Sequence, residues 1–431
     1  MLPRLLLLVL GYILGCGVAA VWGALLTDSS RAFSQKLSPP PQSIGREVFS
    51  LNIVNLEYGV IWPTVPFFSW RNFHSAWEKI ESRPGQWNFF QLDQDISLAE
   101  KQQVEILLQL VTIPQWAKLD GRIDLACRES SQPNEEPPIC QSTLWKNYVR
   151  TVATRYKGRV HAYELWNEPN VKEFFTGTVS DLVTLNRIAY QTLKEIDPTI
   201  LVVSSSLTRL NPRTLEYLKE FFKQGGGQFA DVMSHHFYPA PDPPETMLNF
   251  IQSFHSLMRE HGVYKPVWNT ETGWNMLNRD RNQITEHWAG PSLNDELSQA
   301  YMARTYLLSW ASGIERVYWY AWGHRSMGMT EHDGKRPKAI ATAFSEIQHW
   351  IVGSQMKNCR NTPDHTWVCK LFRNGQPQWI IWNAQRHVPF HLPPSWKPSR
   401  LKYLDGRVEM FLGQPTIDIG PVPILLERIA P

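Results

Sequence analysis

The sequence has no concentrated basic stretch, no internal repeat, and no low-complexity tract beyond one proline run, Pro39-Pro40-Pro41. Its 43 lysines and arginines nearly balance 40 acidic residues, for a net charge of +3. That balance lacks the electrostatic footprint of a nucleic-acid partner. Cysteines are few, five in 431 residues. Apart from Cys16 they fall as Cys127 with Cys140 and Cys359 with Cys369. Neither spacing is that of a zinc knuckle, and no histidines accompany them at ligand intervals, so a metal site is not expected. Of the three pairings open to four cysteines, the most local closes two short loops by disulfides, which suits an exported protein.

What the chain does have is length and tryptophan. At 431 residues it can bury a large core, as one big domain with a smaller companion. Its 19 tryptophans are mostly core material, although flat rings near strand ends suit stacking against sugars. Residues 5–26 carry no charge, a run long enough to span a bilayer as a helix. Arg4 and the amino terminus precede it, which places the bulk of the protein on the extracytoplasmic side. Val18-Ala19-Ala20 and Ile13-Leu14-Gly15-Cys16 offer processing sites, yet the apolar run continues past both, and an uncleaved transmembrane anchor is the favoured reading.

The pattern divides the chain into an anchor (1–28), a proline-bearing extended linker (29–46), a catalytic domain (47–352) and a β-rich domain (353–431). In the third part short β-rich runs alternate with longer helical ones. Strands are expected at 51–59, 67–73, 105–111, within 161–170, and at 200–204, 231–238, 266–271 and 316–322. Helices are expected at 143–156, 180–196, 301–311 and 339–350, with another carrying Leu92, Ile96 and Ala99 on one face. Eight strands with crossover helices predict a closed (β/α)8 TIM barrel. After residue 352 the short strands have no long helix between them, and a small C-terminal β-sandwich is expected.

Two of the expected strands end in glutamates. One runs His161-Ala162-Tyr163-Glu164-Leu165-Trp166-Asn167-Glu168-Pro169, the other Pro266-Val267-Trp268-Asn269-Thr270-Glu271. Strand ends of a barrel aim side chains into a cleft, so Glu168 and Glu271 are candidates for a paired-carboxylate site. With Trp77-Glu78-Lys79-Ile80-Glu81, Pro84-Gly85-Gln86-Trp87 and His236-Phe237-Tyr238, these motifs resemble glycoside hydrolases of clan A, the retaining (β/α)8 enzymes. The C-terminal region looks like the companion domain of family 39 and its relatives. The resemblance runs from about residue 47 to the C-terminus.

The resemblance assigns the general acid/base to Glu168 and the nucleophile to Glu271, and implies no metal or organic cofactor. Independently, cleavage with retention needs one carboxyl protonated and one ionised. Glu168 is therefore expected to have a raised pKa, and Glu271 to be kept ionised by donors. Asn167 resembles the clan asparagine that bonds the sugar 2-hydroxyl, and Trp322 the strand-eight tryptophan that floors the sugar site. His236 and Tyr238 share a strand face, which lets Tyr238 donate to the nucleophile; a buried core histidine is the competing reading for His236. Arg71 is a candidate neighbour of Glu271. Glu164, deeper in the barrel, reads as a structural acid. Trp274, Arg279, Arg281, Trp288 and Arg325 fall in loops that would wall the cleft, where the arginines meet either an acidic sugar or water.

These readings converge on a membrane-anchored glycosidase that acts on an extracellular poly- or oligosaccharide. An inactive carbohydrate-binding barrel is the alternative, and a plain interaction scaffold is third.

Overall fold

The computed structural model describes residues 35–118, 141–279 and 290–428. Parallel strands form in the expected order: Phe49–Ile53, Ser69–Asn72, Glu105–Leu110, Ala162–Leu165, Leu201–Val203 with Leu207–Thr208, Met233–His236, Val267–Thr272 and Ile314–Trp322. Each pairs with the next, and the last returns to the first with Val317 opposite Phe49 and Trp319 opposite Leu51. The fifth strand is broken in two, and bridges Val203 to Val232 and Asn167 to Ser206, with Leu207 opposite His235, carry the sheet across the break. The nine parallel segments thus make eight staves, a (β/α)8 TIM-like fold.

Crossover helices follow from amphipathic spacing and explicit caps. Phe90–Lys101 buries Leu92, Ile96 and Ala99 as expected. Val179–Ile196 starts at a capping box in which Thr178 and Asp181 satisfy each other's backbone N–H groups, an arrangement whose loss costs about 1 kcal/mol. Asn211 caps Pro212–Lys223, with proline at the helix start. The first crossover is the exception, with only the 3-10 turn Leu56–Tyr58 where a helix would lie.

Residues 35–46 correct the linker reading. Gln35–Leu37 pairs antiparallel with Gln355–Asn361, and Ile44 is buried with its N–H on the Ser354 carbonyl at 2.9 Å. The open edge of the C-terminal sheet supplies unpaired donors and acceptors, and an extended segment satisfies them. The strand stops before Pro39-Pro40-Pro41, which has no N–H to offer.

That sheet has seven antiparallel strands, with a two-stranded layer, Val388–His391 and Thr416–Ile419, over part of one face. Phe390 and Ile419 pack on Val368, Ile381 and Leu426 between the layers. The expected sandwich is therefore lopsided. The other face joins the barrel: Trp367, Leu371 and Trp382 share one hydrophobic cluster with the barrel helices. Glu245 ties the two parts by accepting from Arg304 Nε at 2.8 Å and from Trp382 Nε1 at 3.0 Å.

Cys359 and Cys369 stand opposite each other on adjacent strands and are disulfide-bonded. The expected Cys127–Cys140 pair lies outside the described residues, as do the anchor run 5–26, Cys16, Arg281 and Trp288. Among the described residues, no helix is long and apolar enough to cross a membrane.

Candidate active site

The barrel interior has two layers. Below, Leu107, Ala162, Val203, Val232, Trp268 and Tyr318 form an apolar cluster. One strand repeat higher the same inward positions turn polar, with Gln109 above Leu107, Glu164 above Ala162, and Ser234 and then His236 above Val232. Arg71 stands at the centre of this upper layer and is only 4% exposed.

Arg71 Nε donates to Glu164 at 2.6 Å, Nη1 to Glu271 at 2.6 Å, and Nη2 to Asn167 Oδ1 at 2.8 Å. Burial works against the guanidinium charge, but Glu164 and Glu271 outweigh it and raise its pKa. Glu164 is wholly buried and also accepts from Ser206 at 2.6 Å and Gln109 at 3.0 Å. Burial pushes its carboxyl up, yet the Arg71 charge and the hydroxyl donors hold it below the ordinary range. The structural role expected of Glu164 fits this pairing.

Two irregularities bring the outer carboxylates into the cleft. Trp166 and Glu168 both have left-handed backbones, with φ of 71° and 45°. Their N–H groups bond Leu110 and Ser206 carbonyls at 2.9 and 2.8 Å. An extended strand would send neighbours to opposite faces, whereas this zigzag lets Asn167 and Glu168 both line the cleft while Trp166 packs on Trp145 and Phe175. On the seventh strand Asn269 faces Val317 and Thr272 faces Trp319. The extra residue is a bulge, and Glu271 turns into the cleft beside it.

Glu168 and Glu271 each present an oxygen within 4.8 Å of the other, and His236 lies within the same distance of both. Tyr238 donates its hydroxyl to Glu271 Oε1 at 2.8 Å. Burial, then the Glu271 charge, raises the phenol pKa well above its ordinary value, so Tyr238 stays a donor. His236, fully buried, places Nε2 3.2 Å from Arg71 Nη2 and Nδ1 2.7 Å from Glu168 Oε1. A guanidinium only donates, so Nε2 accepts and Nδ1 carries the hydrogen that Glu168 receives; the network fixes this tautomer.

The Glu168 pKa is a correction. Burial pushes its carboxyl up, but the hydrogen bond from His236, with the Arg71 charge beyond, holds it below the ordinary carboxylate range. The expected rise presumed apolar surroundings, and the structure supplies donors instead.

Trp322 is the second correction. It is wholly buried, with its indole N–H on the Ile61 carbonyl at 2.8 Å, and belongs to the outer core with Trp319. Pairing with the first strand slips between Tyr320 and Trp322, and such a slip exchanges the two faces. Tyr320 takes the cleft position instead. Trp274 is likewise core, stacked on Trp319 with centroids 5.7 Å apart. Arg279 pairs with Asp295 at 3.0 Å, and exposed Arg325 does not line the cleft.

The carboxylates sit where two cavities meet. A larger one of about 860 Å³ runs past Thr208, Arg209, Tyr238 and His324, and a smaller one of about 530 Å³ past Asn52, Phe73, Gln109 and Asn167. Glu168, Phe174, Glu271 and Tyr320 line both. Sequence reading missed Gln109, Asn52 and Tyr320, although Gln109 is a lone polar residue within the apolar run Ile106–Leu110. Glu168, His236 and Glu271 could in principle ligate a metal ion, but Arg71 already stands 2.6 Å from Glu271 and provides the positive charge there.

Residues 141–342 match the family model of the glycosyl hydrolase catalytic core. The likeness to clan A glycoside hydrolases read from the motifs agrees with this match, whose span contains both glutamates. The core's fold is also found in a family 39 glycoside hydrolase from the gut symbiont Bacteroides cellulosilyticus WH2, 19% identical over 89% of this chain and 82% of that one, with a TM-score of 0.66. A family 30 endoxylanase from Clostridium papyrosolvens C71 gives 11% identity, 92% and 100% coverage, and a TM-score of 0.59. A family 39 β-xylosidase from Caulobacter crescentus gives 12%, 92% and 98%, and 0.56. Curated proteins gave no match.

Proposed function

We propose that the protein hydrolyses O-glycosidic bonds with retention of anomeric configuration. The observation that carries this reading is the approach of Glu168 and Glu271 oxygens to within 4.8 Å. Retaining enzymes hold their carboxyls about 5–5.5 Å apart, whereas inverting ones leave about 6.5–9.5 Å for a water. In this reading Glu271, oriented by Tyr238 and Arg71, attacks the anomeric carbon while protonated Glu168 donates to the leaving oxygen. The glycosyl ester on Glu271 is then cleaved by water, from which Glu168 takes the proton. Asn167 has its carbonyl oxygen engaged by Arg71 and Gln109, which leaves its N–H groups to donate to the sugar 2-hydroxyl. Because His236 holds Glu168 low, proton donation is favoured on the acidic side.

Cavities on both sides of the carboxylates suit a substrate with sugar units on either side of the scissile bond. The xylosidase and xylanase names of the fold relatives make xylan and xylo-oligosaccharides the first members of a β-linked panel. The uncharged run 5–26 behind Arg4 supports a membrane-anchored, extracytoplasmic enzyme acting on extracellular glycan, and protease accessibility in intact cells tests that placement.

The decisive experiment is proton NMR of the first product anomer. Retention is expected; inversion, or equal turnover by the Glu168→Gln and Glu271→Gln variants, would overturn the proposal.

A further inference from the structure

In the C-terminal region, Arg407-Val408-Glu409-Met410-Phe411-Leu412 sets an aliphatic side chain at every second position, the spacing that gathers them on one face of an extended strand. That face is open to solvent. Val408, Met410 and Leu412 are 53%, 66% and 84% exposed, whereas the other large apolar residues that reach the surface stand singly along the chain.

Val408–Met410 is also the last strand of the seven-stranded sheet. At the opposite end Gln35–Leu37 covers the Gln355–Asn361 edge, but among the described residues Val408–Met410 pairs only with Arg400–Tyr403. The Tyr403 N–H bonds the Arg407 carbonyl at 3.0 Å, and the Phe411 N–H bonds the Ser399 carbonyl at 2.9 Å. Backbone groups alternate in direction along an antiparallel strand, so residues 407, 409 and 411 point theirs inward while Val408, Met410 and Leu412 present theirs outward. Such an edge is filled by another extended chain. Neither proline nor lysine occurs between residues 407 and 412, and the pairing there has no bulge, so none of the usual devices blunts it.

The neighbouring charges are already matched. Lys402 and Arg400, opposite Val408 and Met410, both pair with Glu427, at 3.0 and 2.5 Å. Glu409 accepts from the Tyr403 hydroxyl at 3.0 Å and from Arg407 Nη1 at 3.3 Å. What is left to satisfy is backbone polarity and apolar surface, and a copy of the same strand supplies both. Two copies related by a two-fold axis run antiparallel. With the axis at Met410, that residue faces its own copy, Val408 faces Leu412 of the second copy, and Glu409 faces Phe411 of the second copy. An axis one residue earlier would set Glu409 against Glu409, and one residue later would set Val408 against Gln414.

We propose that Val408–Leu412 is the seam of a homodimer in which the C-terminal sheets of two copies join edge to edge about Met410. Each facing outward pair exchanges two N–H···O bonds, and the three aliphatic side chains of each copy cover those of the other. The seam does not depend on the catalytic reading.

The test is sedimentation of the full-length protein in non-ionic detergent over a concentration series, with hydrogen exchange of peptide 407–413 followed in parallel. A monomer–dimer equilibrium is expected, with slower exchange of that peptide in the dimer; so short a seam makes association weak. Met410→Lys and Met410→Glu each set like charges across the axis and should weaken association about tenfold or more at unchanged Tm. Mixing those two variants should restore it, because in this register residue 410 meets its own counterpart. Met410→Pro removes an N–H that the sheet does not use and should give a folded monomer. The proposal fails if the wild type is monomeric throughout, if the variants associate as it does, or if the mixed charge variants recover no dimer. Protection of peptide 407–413 by phosphatidylglycerol vesicles without dimer formation would give the edge to a lipid surface and equally overturn it.

Discussion

The two layers inside the barrel are built on the same strands and differ in one property. Below, Leu107, Ala162, Val203, Val232, Trp268 and Tyr318 interlock without a charge. Above, Arg71 is bonded to Glu164, Glu271 and Asn167 and lies beside His236, with Arg71, Glu164 and His236 at most 4% exposed and Glu271 at 16%. The lower layer can be packed by any residues of the right size, so its contribution is stability. The upper layer works only if all its donors and acceptors are matched, because a buried charge without a partner costs several kcal/mol. The proposed chemistry sits where stability is most easily lost.

That contrast can be broken from above. Arg71→Met leaves Glu164 and Glu271 without their cation, and is expected to destabilise the fold by about 3–5 kcal/mol and to abolish turnover, as read by chemical denaturation and by assay of the folded fraction. Restoring stability by lowering the pH would support this account. The Glu164 pKa is depressed in the fold, so its stabilisation is present above the unfolded carboxylate value and lost as pH falls through the folded one. Arg71→Met should therefore flatten the acid limb of the stability curve.

Glu168→Gln removes the proton donor with little change of shape and should lower kcat on poor leaving groups by about 10²–10⁴-fold, at near wild-type Tm. Leu107→Ala tests the lower layer: about 2–5 kcal/mol of stability lost, with activity per folded molecule nearly kept. A large fall in kcat there would show that the two layers are not separable. Tyr238→Phe deletes one hydrogen bond to Glu271, worth about 1.5–3 kcal/mol, and should slow turnover roughly ten- to a hundredfold without altering the product anomer.

The smallest change concerns pH. His236 keeps Glu168 low, so replacing it with phenylalanine should raise the Glu168 pKa and move the alkaline limb of kcat/KM upward. An unmoved limb would assign that limb to another group.

Much of this molecule was legible in its sequence. Hydrophobic periodicity gave eight strands in the right order, and the paired strand-end glutamates both lie at the mouth of the cleft. Tyr238 on Glu271 followed from period-two alternation. Trp322 did not, because alternation presumes a regular strand and pairing slips just before it. The linker was misread for a related reason: a polar, proline-bearing segment says nothing about whether a distant sheet edge will take it up.

The sequence by itself determined the barrel, its companion sheet and the residues available at each strand end, because these follow from local periodicity and residue type. Only the tertiary structure decided which of those residues meet. Left-handed backbone at Trp166 and Glu168 and a bulge beside Glu271 aim the carboxylates into one cleft. Arg71, from the second strand, joins Glu164 and Asn167 of the fourth to Glu271 of the seventh. The charge state of Glu168 was beyond reach for the same physical reason: a pKa is set by the donors around a group, and those donors come from strands far away in sequence.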